Sequence, residues 1–147
     1  FSGWLSDHIG RRKPILLTGL VFICIMLAVV TGISDLPLGA VVACLVVIGL
    51  SGGGMTACFG LLKDVMPAPL AGASTGVVNS MTVASGAILQ PFVGLALDLQ
   101  WDGRLVDGAR HYAEGDYRTA FTLVLVAAVI GLVTALSLRE TPRGHAP

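Results

Sequence analysis

The sequence predicts an all-α polytopic membrane protein with four transmembrane helices. Three observations carry this. Four long stretches, Pro14–Ser34, Leu36–Leu62, Val65–Leu97 and Thr119–Leu138, contain no Asp, Glu, Lys or Arg. Each reaches the roughly 20 residues that a helix needs to cross about 30 Å of hydrocarbon. The chain is 54% hydrophobic and 12% charged, about half the charged fraction of a soluble domain. The apolar runs are continuous and do not alternate, which favours helices over barrel strands. A charge at a helix centre costs roughly 2.5–3.5 kcal/mol, and none of the four runs carries one.

The same composition excludes several functions. The formal net charge is +0, which gives nucleic-acid binding no electrostatic support. Cys24, Cys44 and Cys58 all fall in apolar runs and read as buried thiols rather than a disulfide framework. His8, His111 and His145 are isolated and have no metal-ligand spacing. No cofactor or metal is expected. The chain opens at Phe1 with no initiator Met, signal peptide or cleavage site, and reads as a piece of a longer protein.

Residues 1–13 form a basic loop. Arg11, Arg12 and Lys13 abut the first apolar run, which anchors this end on the cytoplasmic side. Gly3 and Gly10 permit a tight turn, and Asp7 can accept from backbone amides or pair with an arginine. The first helix is expected over about 14–33, with Pro14 suited to its first turn. The turn Ser34-Asp35-Leu36-Pro37 is short enough only for an antiparallel hairpin. The second helix is expected over about 38–62, with Gly49, Gly53 and Ala57 at four-residue spacing to admit a close neighbour. Pro67 and Pro69 then disfavour a continuous helix.

The third helix, about 71–98, differs in chemistry. Gly72, Gly76 and Ser80 form a small-residue face. Thr75, Asn79, Thr82, Gly86 and Gln90 share another. Amides are expensive in lipid, so this second face should meet protein or water. Asn79 and Gln90, with Thr75 and Thr82, are candidates for lining a solute cavity or for interhelical hydrogen bonds. Pro91, with Gly86 and Gly94 a turn to either side, is expected to kink the helix. A polar segment, Leu99–Arg118, leads to a fourth helix, about 119–138, and a tail over 139–147. With the basic loop inside, six cations fall inside (Arg11, Arg12, Lys13, Lys63, Arg139, Arg143) and three outside (Arg104, Arg110, Arg118). The count fits the positive-inside tendency and puts the C-terminus in the cytoplasm.

The spacing of Gly3, Asp7, Gly10, Arg11, Arg12 and Lys13 resembles the cytoplasmic loop motif of the major facilitator superfamily, with His8 where the family usually has Arg or Lys. The resemblance implies a twelve-helix transporter fold, of which this chain would be the loop after helix eight and helices nine to twelve. The two bland outer helices and the two glycine-rich or polar inner ones fit that placement. It implies a secondary active transporter working by alternating access, in a plasma membrane, with a bacterial inner membrane expected. Its partners would be the lipid bilayer, the missing N-terminal part, a small-molecule solute and a coupling proton or ion. Asp7 would lie against a helix N-terminus of the other half when the cytoplasmic gate is shut, and would pair with Arg11.

Other readings stay beside it. Gly86-x-x-x-Gln90-Pro91-x-x-Gly94 resembles part of the helix-five motif of proton-coupled antiporters, and equally reads as kink and packing. The chain could be helices three to six, but Ile48 stands where that placement often has an arginine. Asp107-Gly108-Ala109-Arg110 is similar to the start of a phosphatidyltransferase motif, with the wrong spacing and without its later aspartates, so an enzyme is not expected. The alternative function is a non-transporting membrane sensor or assembly protein on the same fold.

Overall fold

The computed structural model describes residue 8 and residues 11–138. Helix α1 spans Lys13–Gly32 and has Pro14 in its first turn, where a missing N–H costs no intrahelical bond. The chain reverses through Ser34 and Asp35, the latter at φ 53°. Pro37, extended, then precedes α2, Leu38–Ser51.

The second apolar run is not one regular helix, as the sequence suggested. It is α2, a 3₁₀ turn at Gly52–Gly54, and α3, Met55–Val65. Three successive glycines favour the α-helix least among residues other than proline, and short 3₁₀ pieces appear where a helix is weakened in this way. A second 3₁₀ turn, Ala68–Leu70, leads into α4, Ala71–Gln100. Pro91 lies inside α4 and has no N–H for the Ala87 carbonyl, yet helix continues on both sides.

The polar segment after α4 is more ordered than a loop. Strands β1 (Leu105–Val106) and β2 (Ala109–Arg110) pair antiparallel around Asp107 and Gly108. These two residues have φ 51° and 78°, as a type I′ hairpin turn requires. Helix α5 spans Glu114–Ser137, so it starts more than a turn before Thr119. Its first turn holds Glu114 and Asp116, favourable at the positive end of a helix, and the Asp116 carboxylate accepts from the Ala113 N–H at 2.8 Å.

Helix α1 packs along α5 and crosses α2 and the 3₁₀ turn, while α4 lies against α5 and α3. Burial is inverted relative to a water-soluble bundle. Ala120 and Ala135 are 1% and 5% exposed, whereas Leu38 and Leu99 are 78% and 77% exposed. Leu27 and Cys44 are buried like these alanines, and many large aliphatic residues face outward, as on helices that meet lipid or further protein. The four stretches Lys13–Gly32, Leu38–Leu62, Ala68–Gln100 and Glu114–Ser137 are each long and apolar enough to cross a membrane.

Hydroxyls along these helices are satisfied locally. Thr18, Thr31, Thr75, Thr82, Thr119, Thr122 and Thr134 each donate to the carbonyl four residues earlier, at 2.7–3.0 Å. In hydrocarbon, where no water can take the bond, this removes the cost of an unpaired donor.

Candidate functional site

The described cations of the basic loop converge on one end of the bundle. Lys13 sits in the first turn of α1, and its Nζ donates to the Leu136 carbonyl at 2.8 Å and to the Leu138 carbonyl at 2.6 Å. The guanidinium of Arg12 lies where a Cβ on Gly60 would stand, so the absence of a side chain there is what admits it. Arg11 is exposed. The loop thereby touches both α3 and the last turn of α5. Gly3, Asp7 and Gly10 lie outside the described residues.

Above this end, α1, the end of α2, the 3₁₀ turn, α3 and α4 line an open cleft of about 370 Å³. Its lining is mostly apolar, with Leu16, Leu20 and Cys58 facing Thr82 and Ser85 of α4. Ser85 donates to the Thr82 carbonyl at 2.7 Å and Thr82 to the Val78 carbonyl at 2.9 Å, so the two α4 hydroxyls at the cleft are used by their own helix backbone, while Ser51 of α2 also lines it. Thr75 is half-buried, while Asn79 and Gln90 are exposed. Of the four polar candidates on α4, the structure therefore places Thr82 at the cleft.

The close helix crossing forms where the sequence reading did not put it. A Cβ on Gly19 would stand 2.8 Å from the Ser51 carbonyl oxygen, and one on Gly54 would stand 3.5 Å from that of Ile15. A Cβ on Gly49, Gly72, Gly76, Gly86 or Gly94 would meet nothing within 4 Å among the described residues. Gly53 belongs to the 3₁₀ turn. A glycine at position 19, inside a largely aliphatic helix, is the available signal.

A family model described as Major Facilitator Superfamily matches residues 1–147. The chain belongs to the major facilitator superfamily. Searches among curated proteins and among solved structures returned no match. The four apolar helices are thus spans of a multi-pass protein in a superfamily of membrane transporters.

At the opposite end from Lys13, this family member carries a polar cluster between Asp98 and the polar segment Leu99–Arg118. Asp98, near the end of α4, accepts from Arg110 Nη1 at 2.6 Å and from the Tyr112 hydroxyl at 2.7 Å. Arg110 also stacks over the Trp101 ring, 4.6 Å from its centroid. Trp101 Nε1 donates to the Arg104 carbonyl at 3.0 Å, and Tyr112 meets Tyr117 edge to face with centroids 6.0 Å apart. The hairpin is thereby tied to the ends of α4 and α5. The bond to Asp98 raises the Tyr112 pKa above its usual value, since losing the phenol proton loses that bond. The same carboxylate raises the pKa of Arg110. The signals for this unit are Asp107-Gly108 between Leu105-Val106 and Ala109-Arg110, and the acidic residues before Thr119.

Proposed function

We propose that this chain is the C-terminal part of a secondary active transporter that moves a small solute by alternating access, as the loop after helix eight and helices nine to twelve. The family match over all 147 residues supports the transporter class, and the loop spacing from Gly3 to Lys13 with the bland outer and polar inner helices supports the placement. The missing N-terminal part supplies the other half of the solute path. No charged residue lies inside the four apolar runs, so a carboxylate that couples a proton, or a cation that binds an anionic solute, belongs to that other part. The basic loop, the Lys63–Pro69 connection and the tail over 139–147 face the cytoplasm, and Ser34–Pro37 and Leu99–Arg118 face out, in a bacterial inner membrane. Asp7 favours the form with the cytoplasmic gate shut, by facing a helix N-terminus of the other half.

The orientation is tested in the full-length protein with its own cysteines replaced. A cysteine at Gly103 should react with an impermeant maleimide in intact cells, and one at Met66 should not. Labelling at Met66 but not at Gly103 would invert the topology. For the activity, Asp7→Asn should lower solute flux at equal expression and raise thiol labelling of a cavity cysteine from the cytoplasmic side. Unchanged flux and unchanged labelling would leave the loop as a topological anchor only.

A further inference from the structure

Two cations stand where an isolated helix would not want them. Lys13 begins α1 and Arg118 lies in the second turn of α5. Each is near the positive end of its own helix dipole, an unfavourable place for a cation. Each instead reaches the carbonyl end of the other helix. Lys13 Nζ donates to the carbonyls of Leu136 and Leu138, at the end of α5. Arg118 Nε donates to the Thr31 carbonyl at 2.9 Å and its Nη1 to Ser34 Oγ at 2.7 Å, at the end of α1. A third contact supports the second end: the Asp35 N–H donates to Glu114 Oε1 at 3.1 Å. The two helices run antiparallel, so this exchange is reciprocal.

We propose that Lys13 and Arg118 form a pair of exchanged helix caps that lock α1 and α5 into one rigid unit across the membrane. The terminal carbonyls of a helix have no intrahelical partner, and a cation there answers both their hydrogen-bonding need and the negative end of the dipole. The same number of residues separates Lys13 from Thr31 as separates Arg118 from Leu136. At 1.5 Å per residue that distance is about 27 Å, close to the thickness of the hydrocarbon layer. The caps therefore sit at the two membrane surfaces, where a charged head keeps access to water while its stem lies along the helix. Between them, buried Ala120, Ala135 and Leu27 let the helices pack closely. Each cap restrains one end, so together they oppose sliding, splaying and rotation of one helix against the other. The lock does not depend on which solute is carried, nor on whether one is.

The test is amide hydrogen exchange of the full-length protein in lipid nanodiscs, read by mass spectrometry at each helix end. Lys13→Met should speed exchange about tenfold over residues 134–138 and leave residues 30–35 as they were. Arg118→Met should do the reverse. Lys13→Arg should restore the protected state, because it keeps a cationic donor. The mild Ser34→Ala, which removes one acceptor only, should speed exchange at the second end by a smaller factor and leave the first end unchanged. Exchange that stays unchanged in both methionine variants would overturn the proposal. So would equal acceleration at both ends by either methionine variant together with no effect of Ser34→Ala, since that pattern describes general loosening.

Discussion

Replacing Gly19 with alanine should destabilise the protein although alanine is the better helix former. On an open helical surface, glycine to alanine gains about 0.5–1 kcal/mol, because the unfolded chain loses freedom. At Gly19 the new methyl would stand 2.8 Å from the Ser51 carbonyl oxygen and 3.8 Å from the Gly54 Cα. The first distance is closer than Cβ atoms come to anything, and the obstacle is backbone, which cannot swing aside. Helix α1 must retreat from the end of α2, and overpacking of this kind costs about 1–3 kcal/mol. The net expectation is a loss of up to about 2.5 kcal/mol, centred on about 1 kcal/mol. Gly131→Ala serves as the control, since a Cβ there meets nothing within 4 Å among the described residues, and it should be neutral or slightly stabilising. The measurement is reversible denaturant unfolding of the full-length protein in mixed micelles. If Gly19→Ala is as stable as Gly131→Ala, the crossing is looser than described and the steric argument fails.

Two further predictions concern the hairpin and the cluster around Asp98. Gly108→Val places a β-branched residue at φ 78°, at a cost of about 1–3 kcal/mol; hydrogen exchange should rise over residues 104–111 and stay unchanged in α1, and a protected hairpin in the variant would contradict the I′ assignment. Tyr112 has a raised pKa in the folded state, first through its bond to Asp98, so that contact is fully present below the ordinary tyrosine pKa of about 10 and is lost as pH rises through the raised value. A tyrosinate absorbance titration should show one phenol ionising late, and Asp98→Asn should move it earlier; an unchanged titration in the variant would show that Asp98 does not hold the proton.

The sequence made the spans legible because a charge-free run of sufficient length has few alternatives in a membrane. Their ends were harder to place. Glu114, Asp116 and Arg118 were counted as loop because they are charged, yet a helix continues into the polar interface, and Asp116 accepts from the N–H just before it. The hairpin was missed because the Asp107-Gly108 signal was weighed as part of an enzyme motif rather than as turn chemistry. The glycine faces were predicted from spacing alone. Spacing tells which residues share a face but not which neighbour that face meets: among the described residues the tight crossing forms at Gly19 and Gly54, while a Cβ on Gly49 or Gly72 would meet nothing within 4 Å. The partners of Lys13 and Arg118 lie far away in the chain, and no local pattern encodes them.

The Gly52–Gly54 turn also resets the angular phase of the second span. An α-helix advances about 100° per residue and a 3₁₀ helix about 120°. Three residues of the tighter winding therefore rotate everything after Gly54 by about 60° relative to an unbroken helix. They also lengthen the span by about 1.5 Å. A stripe of small residues drawn at four-residue spacing through Gly49 and Gly53 cannot continue straight into Met55–Val65. The two parts of this one span present differently aimed faces, and the part that carries Gly60 is turned with its open backbone beneath Arg12. A single inserted or deleted residue in α3 would shift that face by about 100°, so the length of the glycine run sets where the basic loop can dock.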